Sequence, residues 1–275
     1  MKPISGVAAG VPYVATPPER DRPGAATVLA WHLLDSPRTE TAFAAALPLA
    51  GLDAWRVYLG LPMTGRRTPP GGVDEVLRLL GEDVVRNVHE PIVRQAVAEA
   101  GDALADLRTQ LGAGTGPIGL LGGSLGAAVA QSVILDGALT VDAAVLVSPL
   151  VRLRPVIDAI VPAYTGQPYR WTPRAEAFAA RLDFVQRAGA GGPPVLLVMG
   201  AQDEPWFRQP VHDLYDTLRA RYADPSRVGL HVVEGMGHAL ANEPGVEPEP
   251  QTAHAAEVDR MAVDWFGRYL LAERR

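Results

Sequence analysis

Residues 118–128 read Ile118-Gly119-Leu120-Leu121-Gly122-Gly123-Ser124-Leu125-Gly126-Ala127-Ala128, and this stretch decides the fold. Residues 118–121 form an apolar run without polar alternation, the signature of a strand covered on both faces. Residues 127–135 begin small and continue as a helical pattern. Between them stands Gly-x-Ser-x-Gly. Glycines two before and two after the serine leave room for a tight strand-to-helix turn, with the hydroxyl on its apex and helix N–H groups behind it. A Gly-rich turn with a serine is a weak signal alone; the strand directly before it and the helix directly after it make it specific.

Working outward, the same unit recurs. Apolar runs at 27–31 (TVLAW), 55–59 (WRVYL), 143–147 (AAVLV), 195–199 (VLLVM) and 229–233 (GLHVV) read as strands. A run at 11–15 is expected at a sheet edge or as an antiparallel start, because Pro12 lacks a ladder donor. Helical periodicity covers 39–47, 73–88, 91–111, 127–135, 173–187, 209–222 and 253–271. Alternating strands and helices predict an α/β fold, with a mostly parallel β-sheet flanked by helices on both faces. With no internal repeat and no linker, residues 1–275 are expected to form one domain. Residues 149–194 are long for one connection and are expected to hold a small lid insertion.

Composition narrows the chemistry. The 275 residues are 48% hydrophobic and 20% charged, with 28 Gly, 25 Pro and no Cys. Absence of cysteine excludes disulfides, thiolate metal sites and a cysteine nucleophile. A net charge of −6 without a Lys/Arg run argues against nucleic acid as partner. No stretch approaches the ~20 apolar residues that span a bilayer, so no membrane partner is expected. The first residues carry only Lys2, and Gly6, Gly10 and Pro12 interrupt them, unlike a secretory leader; a cytoplasmic location is the expectation.

Ligands of such sheets bind beyond the carboxyl ends of the strands, where Ser124 stands. A serine hydroxyl needs a base, and the base an orienting acid. Of six histidines, His238 follows the last strand in a Gly-bracketed loop, Gly235-Met236-Gly237-His238. His231 lies within that strand and reads as a core imidazole; His89, His212 and His254 read as surface residues. Asp203 follows the 195–199 strand, with Glu204 as its immediate rival. Ser148 ends a strand but lacks the glycine frame. There is no His-Glu-x-x-His motif or Cys/His cluster, so no metal is expected. The Gly-rich turn at 112–116 precedes a strand rather than linking strand to helix, which rejects a dinucleotide loop.

The residues GGSLG at 122–126, GAQDEPW at 200–206 and GMGHAL at 235–240, in the chain order Ser, Asp, His, resemble the α/β-hydrolase fold family over nearly the whole chain. The GGSLGAA form is similar to bacterial esterases and to the dienelactone-hydrolase and prolyl-oligopeptidase-like branches. The resemblance implies a nucleophile Ser124, a base His238, an orienting acid Asp203 and no cofactor. It also implies two oxyanion donors: the amide of Leu125, and one from the loop after 27–31. There the family carries His-Gly-x and this chain His32-Leu33-Leu34, so Leu34 is the expected second donor and Leu33 the alternative. His32 reads as a structural hydrogen-bonding residue.

The expected activity is hydrolysis of a small carboxylic ester, or of a thioester or lactone. The rivals are non-hydrolytic acyl transfer, C–C cleavage or cyclisation at the same residues, and a silent binding protein on the same scaffold. Tyr164, Trp171 and Trp206 are candidate pocket residues, from the aromatics gathered in the lid and after the acid.

Overall fold

The computed structural model describes residues 3–20, 24–113 and 115–271. Met1 and Lys2 of the leader reading, and Gly114 of the 112–116 turn, lie outside the described residues.

The elements run β1 (Ile4–Ala8), β2 (Val11–Thr16), β3 (Thr27–Trp31), α1 (Glu40–Ala46), β4 (Trp55–Leu59), α2 (Gly72–Val84), α3 (Glu90–Leu111), β5 (Ile118–Gly123), α4 (Leu125–Leu135) and β6 (Ala143–Val147). Then follow α5 (Leu153–Thr165), α6 (Pro173–Arg181), α7 (Phe184–Arg187), β7 (Val195–Gly200), α8 (Pro205–Arg221), β8 (Val228–Val233) and α9 (Ala253–Tyr269). The eight strands form one sheet in the order β1-β2-β4-β3-β5-β6-β7-β8. β2 pairs antiparallel with β1 and β4; every other pairing is parallel.

Every residue of β3, β4, β5, β6 and β7 is buried, as unbroken apolar runs require of strands covered twice. Alternate side chains feed two cores. Leu29, Trp31, Leu120, Leu146 and Leu197 pack against α3, α4 and α8, whereas Val28, Ala30, Leu121, Val145 and Val198 pack against α1 and α9. The chain leaves β3 for β4 on one side and returns to β5 on the other. The order reverses there, which opens a crevice beyond the ends of β3 and β5.

Of the two readings of residues 11–15, the antiparallel one holds: β2 pairs antiparallel with β1 and β4, and β1 covers it through a tight hairpin at Ala9-Gly10, both with positive φ, the twist that suits a two-residue hairpin loop. Three expectations are corrected. His231 is not a core residue. β8 is the edge strand, and the His231 side chain is 45% exposed, 3.7 Å from Glu257 of α9. The 73–88 pattern is not one helix. Asp83 leaves helical geometry, accepts the Arg86 N–H at 3.0 Å, and a π-type turn at Val85–His89 leads into α3. His89 in that turn is shielded rather than a surface residue; its Nδ1–H donates to the Val84 carbonyl at 3.0 Å, and burial lowers its pKa.

Residues 149–194 contain three helices. The 173–187 pattern divides into α6 and α7 because Asp183 caps the second, accepting the Gln186 N–H at 3.1 Å. α5 precedes them and carries Pro162 inside it. Among the described residues, no helix is long and apolar enough to cross a membrane.

Candidate active site

Ser124 sits between β5 and α4 with φ +46° and ψ −113°, a strained conformation for a residue with a side chain. The surrounding chain over-determines it. Its N–H donates to the Val147 carbonyl at 3.0 Å, and its own carbonyl accepts the N–H groups of Ala127, Ala128 and Leu150. The flanking glycines are steric necessities. A Cβ on Gly126 would lie 2.2 Å from the Trp31 carbonyl oxygen, and one on Gly122 2.5 Å from the Ala127 Cα.

Asp203 and His238 come from neighbouring strand ends that are laced together. Ala201 N–H donates to the Val233 carbonyl and Gln202 N–H to the Met236 carbonyl. Gly200 permits this approach, since a Cβ there would lie 2.1 Å from the Met236 oxygen. The result is a continuous chain of hydrogen bonds. His238 Nδ1 is 2.9 Å from Asp203 Oδ2 and 3.1 Å from Oδ1, and His238 Nε2 is 2.8 Å from Ser124 Oγ. A carboxylate only accepts, so Nδ1–H donates to Asp203; the neutral ring then offers Nε2 as acceptor for the serine proton. The Asp203 side chain is fully buried and also accepts the Glu204 N–H at 2.7 Å; the His238 side chain is 12% exposed. The Phe207 ring lies over the imidazole, centroids 4.0 Å apart. Glu204, the rival acid, is exposed and opens α8. The Ser148 hydroxyl is buried without a hydrogen-bond partner, so no base stands beside it.

The loop after β3 reaches the same point. Leu33 packs where a Gly123 Cβ would stand, 2.3 Å from its Cδ1. Asp35 brings Oδ2 to 3.9 Å from His238 Nε2. Leu34 lies between them, and Leu125 is the first residue of α4, one of the N–H groups a helix leaves unpaired. His32 is fully buried and braces this loop. Its Nδ1–H donates to the Leu33 carbonyl at 2.6 Å, and Nε2 accepts the Leu61 N–H at 3.2 Å. In a planar trans peptide the carbonyl and the next N–H point in opposite directions. Holding the Leu33 oxygen therefore aims the Leu34 N–H.

Burial lowers the His32 pKa from 6.5 to about 4. Its neutral form is native, so stability is full above pH 6.5 and falls as the pH drops toward 4, by about 3 kcal/mol at 1.36 kcal/mol per unit. Melting curves at pH 7.5 and 4.5 are expected to differ more for the wild type than for His32→Asn.

The three candidate pocket aromatics have different surroundings. Tyr164 is 88% exposed on α5. Trp171 is engaged by its own neighbours: Nε1–H donates to Asp158 at 2.7 Å, Tyr169 packs edge-on, and Arg154 lies over the ring. Trp206, in the first turn of α8, is partly buried against the core, its buried Nε1–H without a partner. A cavity of about 610 Å³ opens beside Leu34 and is lined by Met63, Val76, Leu77 and Leu80. The helical spacing of 76, 77 and 80 was visible in sequence, but such a stripe looks the same whether it meets a core or a cavity. Among the described residues, no group of three or more His, Cys, Asp or Glu side chains is placed to hold a metal ion.

No family model matches the chain, and no curated protein matches it in sequence. Solved structures do resemble it. TT1662 from Thermus thermophilus is 21% identical over 100% of both chains, with a TM-score of 0.64. EstE1, a thermostable carboxylesterase from a metagenomic library, is 19% identical over 98% of this chain and 88% of its own, TM-score 0.65. A dienelactone hydrolase from Anabaena variabilis is 16% identical over 98% and 100%, TM-score 0.57. Sheet order, parallel pairing and these likenesses agree: the chain has the α/β-hydrolase fold.

Proposed function

We propose that the protein is a serine hydrolase cleaving a carboxylic ester, or a related thioester or lactone. The observation that carries this reading is the hydrogen-bonded chain Asp203–His238–Ser124, at 2.9 and 2.8 Å, on a strained turn. The fold it shares with a carboxylesterase and a dienelactone hydrolase supports it.

In the proposed reaction Ser124 Oγ attacks the carbonyl carbon while His238 Nε2 takes its proton. Asp203 holds the ring and stabilises the imidazolium. The amides of Leu125 and Leu34 receive the oxyanion, for which one donor in such a site is worth about 3–4 kcal/mol. His238 then protonates the departing alcohol, leaving an acyl-Ser124. Water, deprotonated by His238, releases the acid.

The test is twofold: hydrolysis of a short-chain chromogenic ester, and covalent labelling by a fluorophosphonate. Both are expected of the wild type, with labelling abolished in Ser124→Ala. Labelling that persists in the alanine variant overturns the assignment. Asp203→Asn keeps the shape but offers an amide N–H in place of an acceptor, which favours the wrong imidazole tautomer. A drop of about 10⁴ in kcat is expected; steady-state kinetics with one ester check it.

A further inference from the structure

α2 is amphipathic, with Val73, Val76, Leu77 and Leu80 at spacings of three and four, yet none of its residues is buried. Val73 is 67% and Leu77 58% exposed. A helix of this pattern ordinarily buries its apolar stripe. Here the stripe forms one wall of the 610 Å³ cavity, a volume usual for a small-molecule site. The remaining apolar lining includes Leu34, Met63, Ile92 and Val246.

Two of those walls belong to the loops that carry the proposed chemistry. Leu33 abuts Gly123, Leu34 faces the cavity, and Asp35 stands 3.9 Å from His238 Nε2. The segment after His238 is stitched to the same loop: Leu240 N–H donates to the Ser36 carbonyl at 2.9 Å, and Arg38 N–H to the Gly245 carbonyl at 2.7 Å. The next residue, Val246, lines the cavity. Its charged lining residues, Arg38, Arg66, Glu40 and Glu247, are two of each sign, and Arg38 is paired with both Glu243 oxygens.

We propose that this cavity seats an uncharged, unbranched hydrocarbon chain of the substrate ester, against the apolar stripe of α2. The inference rests on the ester-hydrolase reading and adds the substrate class to it.

The experiment compares ethyl acetate with two isomeric esters, ethyl hexanoate and hexyl acetate, which place the longer chain on the acyl or the alcohol side. Each methylene leaving water is worth roughly fourfold. One isomer or both should exceed ethyl acetate in kcat/KM by at least about thirtyfold, and the better one names the side. Leu77→Asp and Val73→Asp, both at exposed positions, should each cut that preference about tenfold, whereas Leu77→Met should keep it. A wild type that shows no preference, or a preference indifferent to both aspartates, overturns the proposal. A second readout does not depend on turnover: calorimetric binding of ethyl hexanoate and hexyl acetate to Ser124→Ala, the tighter of the two expected to bind about tenfold better than ethyl acetate and to be weakened by adding Leu77→Asp. If the wild type cleaves none of these esters, the hydrolase reading fails. The binding measurement then decides the cavity alone, and equal affinity for all three esters overturns it.

Discussion

Replacing Ser124 by alanine is expected to lower kcat for a short-chain ester by roughly 10⁴–10⁶-fold, the range seen where nucleophile and base act as a unit. The substitution removes one oxygen and leaves His238 and Asp203 with nothing to activate. Any residual rate would come from substrate binding and the Leu125 and Leu34 amides. Stability should change by no more than about 1 kcal/mol, the usual net worth of the single hydrogen bond lost. The backbone strain at φ +46° is the same for alanine as for serine. Steady-state kinetics paired with a thermal melt separate these effects. A loss of less than tenfold, in a protein melting as the wild type does, would remove Ser124 from the chemistry.

The second large effect is on folding. Gly126→Ala is expected to destabilise the protein by about 3 kcal/mol or more. Its Cβ would lie 2.2 Å from the Trp31 oxygen and 2.5 Å from the His32 oxygen. Both are backbone atoms and cannot swing aside, so α4 would have to withdraw from the end of β3. At this chain length each kcal/mol moves Tm by about 2–4 °C, so a fall near 10 °C is expected. Activity should fall with it, since Trp31 and His32 lead directly into the loop that bears Leu34. Gly101→Ala on α3 is the control. Nothing lies within 4 Å of its added Cβ, and alanine favours the helix by about 1 kcal/mol. The two alanines should therefore shift Tm in opposite directions, as calorimetry can check.

Much of this site is legible in the sequence because each part announces itself by a separate physical requirement. Strands buried on both faces need continuous apolar residues, which 118–121, 143–147 and 195–199 supply. A turn as tight as that at Ser124 needs glycine at 122 and 126. Loops at strand carboxyl ends are where Asp203 and His238 had to be sought. What escaped depends on neighbours rather than on local pattern. His231 stands in a run with core composition, but β8 has no strand beyond it. α5 has no counterpart among the expected helices; Pro155 falls in its first turn, where no helical N–H bond is lost, and Pro162 stands inside it. Trp171 and Tyr164 lie within the segment read as a lid; one is held by Asp158 and Arg154 and the other faces water. The α2 stripe reads in sequence only as an apolar helix face, and only tertiary structure reveals that it lines open space.

Asp35 has a bearing on the end of the catalytic cycle. Its carboxylate, 56% exposed, stands 3.9 Å from the imidazole nitrogen that would serve the reaction. An uncharged ester approaches it without electrostatic cost, but the acid released at neutral pH is an anion and meets a like charge at short range. In the proposed reaction the same side chain would tolerate the incoming ester and repel the released acid, favouring forward turnover over product inhibition.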